Sequence, residues 1–163
     1  MSSLVHLLLG LAFFSSASLA SPNSQIREFV RRGWIFQPPS STNPFFSSEM
    51  EHFEGTLTLG ERPSFRVSKL ELKHRVSSLA NFINLKFFGS QATIVKNVPL
   101  FHGRNDSRVI VFQIVRDGEA RFVTVFTKVE GLEVFLLSMD SSQSDQMSEA
   151  KELLPEIRKA LRH

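Results

Sequence analysis

The chain has no cysteine, no tyrosine, a single tryptophan and only eight glycines in 163 residues. Without cysteine there are no disulfides, thiol nucleophiles, cysteine-held zinc sites or iron–sulfur clusters. Small extracellular domains often depend on disulfides. This chain must hold together by burial, and it is long enough for one ordinary domain to do so. Neither a phosphate-cradling loop nor a Gly-x-Gly-x-x-Gly fingerprint occurs among its sparse glycines. Dense basic runs interleaved with aromatics are also missing, so no nucleic-acid partner is expected.

What the chain has instead is phenylalanine, sixteen in all. Phe buries a large area and leaves no polar atom to satisfy. This points to a well-filled core, or to an apolar pocket beside it. Net charge is +3, unevenly spread. Arg62 to Lys128 carries twelve basic residues against four acidic ones, while Glu130 to His163 carries four against seven. A positive middle can meet an anionic surface or an acidic partner. The basic residues come singly along the strands, however, as on a solvated face.

Met1 to Ala20 has no Lys, Arg, Asp or Glu. An apolar run through Leu7 to Phe14 leads into "SASLA", with small residues at Ser18 and Ala20. This is the pattern of a secretory signal peptide cut after Ala20. Ser15, Ser16 and Ser18 interrupt the run too early for a membrane span. The expectation is export to a secreted or periplasmic location, with no transmembrane helix left after signal removal. Three parts follow: residues 1–20 as signal, 21–52 as an N-terminal helix with a Pro- and aromatic-rich arm, and 53–163 as the folded domain.

"SQIREFVRR" puts Ile26, Phe29 and Val30 at helical spacing, with Ser24 as cap and Gly33 as stop. Pro38, Pro39 and Pro44 then predict an irregular arm pinned by Trp34, Phe36, Phe45 and Phe46. "FEGTLTL" and "SFRVSKLEL" alternate as half-exposed strands joined by a turn at Gly60 to Pro63. Val76, Leu79, Ala80, Ile83 and Phe87 mark an amphipathic helix, capped by Ser77 or Ser78 and ended by Gly89. "ATIVKNVPLF" holds Pro99 and reads as an edge strand. "RVIVFQIV", "RFVTVFTKV" and "LEVFLLSM" are apolar on both faces, as strands covered on both sides are. Val109, Val111 and Val115 share one face of the first of these, and Ile110, Phe112 and Ile114 the other.

The most chemical-looking stretch, "QIVRDGEARF", is a hairpin by its Asp117-Gly118 pair, which supplies two positive φ angles cheaply. Arg116 and Glu119 then face each other at a wet tip. A second tight connection lies at Glu130-Gly131. Ala150, Leu153, Leu154, Ile157 and Leu161 form a last helical stripe, which Pro155 kinks or restarts. The fold class is α+β: a single antiparallel sheet of about five to six strands with helices packed on both faces, an α/β/α sandwich.

The order of these elements resembles the PsbP-like fold group, which takes in Mog1-type nuclear-transport factors and periplasmic DcrB-type proteins. "SFRVSKLEL" with "SLANFI" is similar to the group's strand and first helix. "RFVTVFTKVEGLEVFLLSM" is similar to its central hairpin, and "LLPEIRKAL" to its closing helix. The resemblance spans roughly Phe53 to Leu161. It implies an α/β/α sandwich and, in many members, a non-enzymatic partner-binding role in a periplasm, lumen or compartment. It carries over no functional residue.

Other chemistries have thin support. Glu49 and His52 stand at i, i+3, but a carboxylate metal site of that type needs a second copy, which the sequence lacks. His74, His102 and His163 are scattered. "FFGSQA" around Ser90 is no nucleophile elbow. Asn105-Asp106-Ser107 is a glycosylation sequon, relevant only on a eukaryotic secretory route. "QIVRDG" loosely resembles a cystatin inhibitory loop, yet Asp117 stands where that pattern has Gly, and the second Pro-Trp hairpin is missing.

The sequence therefore predicts a non-enzymatic binding or accessory protein. Its partner is a protein or an apolar ligand, with anionic-surface contact as a further option. Expected contact surfaces are the basic strand edges and the aromatic arm Trp34 to Phe46. A small hydrophobic-ligand or lipid carrier is the alternative, and a cystatin-like inhibitor a weaker one. No cofactor is expected, and no catalytic, cofactor-binding or metal residue is assigned.

Overall fold

Apolar alternation along the strands decides the architecture, and a computed structural model shows how the chain resolves it. The structure describes residues 23–39, 52–141 and 147–163. In chain order the elements are α1 (Ser24–Arg31), β1 (Ile35–Gln37), β2 (Phe53–Thr58), β3 (Phe65–Glu71) and α2 (Leu79–Phe88). Then come β4 (Thr93–Pro99), β5 (Ser107–Arg116), β6 (Glu119–Glu130), β7 (Glu133–Ser141) and α3 (Met147–Ala160). The strands form one antiparallel sheet in the order β1-β2-β3-β7-β6-β5-β4.

Seven strands replace the predicted five to six. The addition is β1, three residues at the start of the Pro-rich arm, which pairs Phe36 with Leu57 at the edge of β2. Three residues between Trp34 and Pro38 are too few to show a period of two. β1 reaches β2 through a close approach that only glycine permits. At Gly55 (φ 147°) an added Cβ would lie 2.3 Å from the Gln37 carbonyl oxygen and 2.8 Å from the Phe36 ring.

Alternation sorts the core into two clusters. One joins Phe65 and Val67 of β3, Phe126 of β6, and Phe135, Leu137 and Met139 of β7 with Ile26 and Phe29 of α1 and Leu153 and Ile157 of α3. The other joins Leu70, Ile110, Phe112, Val123, Val125 and Leu136 with Ala80 and Ile83 of α2. Trp34 is 2% exposed in the first cluster. Its ring meets Phe29 edge-on at 5.3 Å and Phe65 at 5.9 Å. Phe45 and Phe46 lie outside the described residues.

Most local expectations have their counterparts. Ser78 caps α2, its hydroxyl accepting from the Asn81 amide at 3.3 Å, and Gly89 ends the helix at φ 58°. β4, with Pro99, lies at the sheet edge. Asp117 and Gly118 take φ 53° and 79° between β5 and β6, and Arg116 is paired with Glu119. Three details differ. Asn23 rather than Ser24 caps α1, accepting from the Gln25 amide at 2.8 Å, because the helix begins one residue earlier. The turn after β6 is Gly131-Leu132, with Glu130 paired to Glu133. α3 runs on through Pro155. Pro155 and Lys151, the residue whose carbonyl the missing N–H would have served, are both exposed, so water can take that bond.

Candidate functional site

Among the described residues, the sheet face carrying α2 is only partly covered. On it β3 presents Arg66 and Ser68, β7 presents Leu136, Ser138 and Asp140, β6 presents Val123 and Val125, and β5 presents Ile114 and Arg116. α2 stops at Phe88, and Gly89 turns the chain away. The rows of the sheet beyond that last turn are left open, and there a cleft forms.

Its floor is apolar: Ile114, Val123, Val125 and Leu136. Its roof is Ile83, Phe87 and Phe88 of α2, and its rim is Arg66, Arg116, Ser68, Ser138 and Asp140. The inner part measures about 70 Å³. A wider groove of about 550 Å³ continues from it along the outer side of β5, past Gln91, Thr93, Gln113 and Val115, and shares Phe87, Phe88, Ile114 and Arg116 with the inner part.

The roof is held by the buried Asn84. Its Nδ2 donates to the Ala92 carbonyl at 2.7 Å, and its Oδ1 accepts from the Ala92 amide at 3.1 Å. This ties the end of α2 to the start of β4. Phe88 packs against Phe112 at 5.1 Å with the rings tilted by 47°, and His52 meets Phe87 edge-on at 5.9 Å. At the rim, the Arg66 guanidinium lies 5.2 Å over the Phe53 ring and forms no ion pair among the described residues. The lining thus sets two arginines against one aspartate around an apolar hollow. Such a hollow suits an apolar group attached to an anionic or hydrogen-bonding one.

A second polar cluster lies at the β4–β5 loop. Arg104 grips Asp106 with Nε at 3.0 Å and Nη2 at 2.5 Å, and the nearly buried Lys128 donates to the same carboxylate at 2.8 Å. The Arg104 hydrogen bond, with Lys128 behind it, holds the Asp106 carboxyl well below the usual carboxylate range, against the opposing pull of burial. Arg104 also donates to the Arg162 carbonyl at 3.0 Å, and Arg158 Nε to the Leu100 carbonyl at 3.2 Å. These bonds clamp the loop to the end of α3 where its carbonyls are exposed. The cluster reads as a structural tie.

The residues weighed from sequence do not converge. His74, His102 and His163 are exposed, His52 is half-buried against Phe87, and Glu49 lies outside the described residues. Among the described residues no three His, Asp or Glu side chains gather for a metal. Ser90 is a turn residue at φ 65°, Ser107 is fully buried, and Asn105 is exposed. Arg116 and Asp117 form a hairpin tip, and Arg116 also borders the cleft. Sequence reasoning missed Lys128, although a lone lysine in a strand apolar on both faces signals a buried partner. It also missed Arg66, whose place at the cleft depends on where α2 ends.

Among the described residues no helix is long and apolar enough to cross a membrane. No family model and no curated protein matches the chain. Among solved structures it is similar to the solution structure of cyanobacterial PsbP (CyanoP) from Synechocystis sp. PCC 6803. Identity is 11% over 78% of this chain and 80% of that one, with a TM-score of 0.44. The relation is a weak fold-level resemblance to PsbP.

Proposed function

We propose that this is a non-enzymatic binding or accessory protein that works by holding a partner's apolar–anionic group in the cleft beyond α2. The carrying observation is the cleft itself: an apolar floor under Phe87 and Phe88, with Arg66 and Arg116 at its rim. The two core clusters support an α/β/α layering, with α1 and α3 on one face and α2 on the other. Among the described residues, such layering leaves one short helix to cover a seven-stranded sheet on the α2 side.

A carrier for a whole lipid fits less well. Pockets for drug-sized ligands are mostly apolar and run to about 300–1,000 Å³, whereas the inner cleft is about 70 Å³ and its continuation of about 550 Å³ is an open groove with four polar residues among its eight lining ones. Of the Phe residues, Phe29, Phe65, Phe112, Phe126 and Phe135 are buried in the core, and Phe87 and Phe88 line the cleft.

Export belongs to the same proposal and is supported by the uncharged Met1–Ala20 stretch. Sequencing of the protein from its native cell should read from Ser21 if the signal is cut.

The binding role is tested with a photo-crosslinking amino acid at position 88, and at the exposed position 151 of α3 as control. Crosslinked adducts from position 88 and none from 151 are expected in the cells that make the protein. Equal labelling at both sites would refute the role of the cleft.

A further inference from the structure

Ser68, Ser107 and Thr124 are buried, and their hydroxyls have no hydrogen-bond partner among the described residues. Ser107 and Thr124 are sealed in the sheet. Ser68 is only 7% exposed, yet it lines the inner cleft, so its hydroxyl faces the space a ligand would take. A polar group buried without a partner is costly, and one at a cleft wall is satisfied by an occupant that supplies the missing bond. Register sets further donors beside it. Ser68 is paired with Leu136, and Arg66 with Ser138, across the neighbouring strands β3 and β7. Ser138 is in turn paired with Val125 of β6. Paired side chains stand about 5 Å apart on one face. The two hydroxyls and the Arg66 guanidinium therefore make one patch of donors at the β3–β7 wall, all lining the inner cleft, with Leu136 and Val125 directly beside the serines. The Ser138 hydroxyl has no partner among the described residues, and Arg66 forms no ion pair among them. Asp140, the acidic residue of the lining, stands on the far side of Ser138 from Leu136, away from Ser68.

Resting on the binding role proposed above, we infer that the occupant is the C-terminus of a partner protein: an apolar last residue whose free carboxylate sits on Ser68, Ser138 and Arg66, and whose side chain lies against Leu136, Val125 and Phe87. Two hydroxyls and a guanidinium match the acceptor oxygens of a carboxylate. Each hydroxyl has an apolar neighbour at its side, which fits a carboxylate and an apolar branch on the same carbon. The last residue of a chain carries both on its Cα, whereas an acidic side chain carries no such branch. The groove separates a peptide from an alkyl tail. From the β3–β7 wall the cleft crosses β6 to Ile114 of β5, three strand spacings or about 14 Å, the span of about four extended residues. There it meets Gln91, Thr93 and Gln113 beside the 71% exposed Val115. Their amides and hydroxyl can bond peptide groups, while an alkyl chain would cover them without bonding them.

The experiment titrates the 15N-labelled protein separately with an acetylated tetrapeptide ending in leucine with a free carboxylate, the same peptide with its terminus amidated, N-acetylleucine, and octanoate. The free-acid peptide should shift the amides of Ser68, Phe87, Val125 and Ser138, and those of Gln91 and Thr93 in the groove. Amidation should weaken it about tenfold or more, through loss of the charge-assisted bonds. Ser68→Ala and Arg66→Gln should each weaken the free acid about tenfold and leave the weaker binding of the amide unchanged. Ser68→Ala removes a hydroxyl that has no partner to lose among the described residues, so the melting temperature should not fall, and lost affinity then reports a lost contact. Equal affinity for acid and amide, or shifts that avoid Ser68 and Ser138, would overturn the inference. N-acetylleucine binding as tightly as the peptide would overturn it too, because the groove would then hold nothing. Octanoate shifting the cleft while neither peptide binds would overturn it but leave the binding role standing. No response to any probe would remove both.

Discussion

Lys128, 4% exposed within the sheet, places its ammonium 2.8 Å from the Asp106 carboxylate. Breaking a buried pair costs more than the pair is worth, because one charge is left without a partner. The two halves here are unequal. Asp106 keeps Arg104 if Lys128 is removed, whereas Lys128 loses its ion-pair partner among the described residues if Asp106 is removed. Asp106→Ala should therefore cost about 3 kcal/mol, and Lys128→Met clearly less, when both are measured by urea denaturation. Equal losses would mean that Lys128 gains little from the contact.

The same pair sets a pH dependence. The Asp106 carboxyl is held low by the Arg104 hydrogen bond and by Lys128. A lowered folded-state value gives stability that is complete above the unfolded-state value, about 3.9 for Asp. That stability is lost as pH falls through the folded-state value. Unfolding free energy should thus fall as pH drops from about 5, more steeply than in Asp106→Asn. Matching slopes in the two proteins would contradict the assignment. Lys69 behaves oppositely. Its value is raised by the Glu133 hydrogen bond, so its smaller contribution is lost only on the alkaline side.

Gly55→Ala tests the edge. Its Cβ would collide with backbone at Gln37 and with the Phe36 ring, and would sit at φ 147°. Overpacking of this kind costs about 1–3 kcal/mol. The damage should be local: amide protection at Ile35 to Gln37 lost, that of β5 and β6 retained. Unchanged protection in β1 would show that the strand does not need the close approach.

The parts of the fold that follow a local rule were legible in the residues. Asp117-Gly118 specified its hairpin, Gly89 and Ser78 bounded α2, and Pro99 marked an edge. What escaped was decided by distance along the chain or by space between elements. β1 is three residues whose pairing depends on Gly55, eighteen or more positions later. The exposure of Val115 depends on where β4 begins, which no feature of β5 encodes. The cleft is the gap left by a ten-residue helix over a wider sheet, and its arginines come from β3 and β5, strands that are not neighbours. Sequence could say that Arg66 was on a strand, but not that a helix would stop short above it.

Ser138→Leu tests the binding role most directly. Ser138 lines the inner part of the cleft on β7. A leucine there should fill the hollow and raise stability by about 1 kcal/mol, while the amide shifts at Phe87, Phe88 and Ile114 caused by octanoate disappear. A stabilised protein that no longer responds is the predicted result. A stabilised protein that binds octanoate as before would contradict the cleft as the functional site.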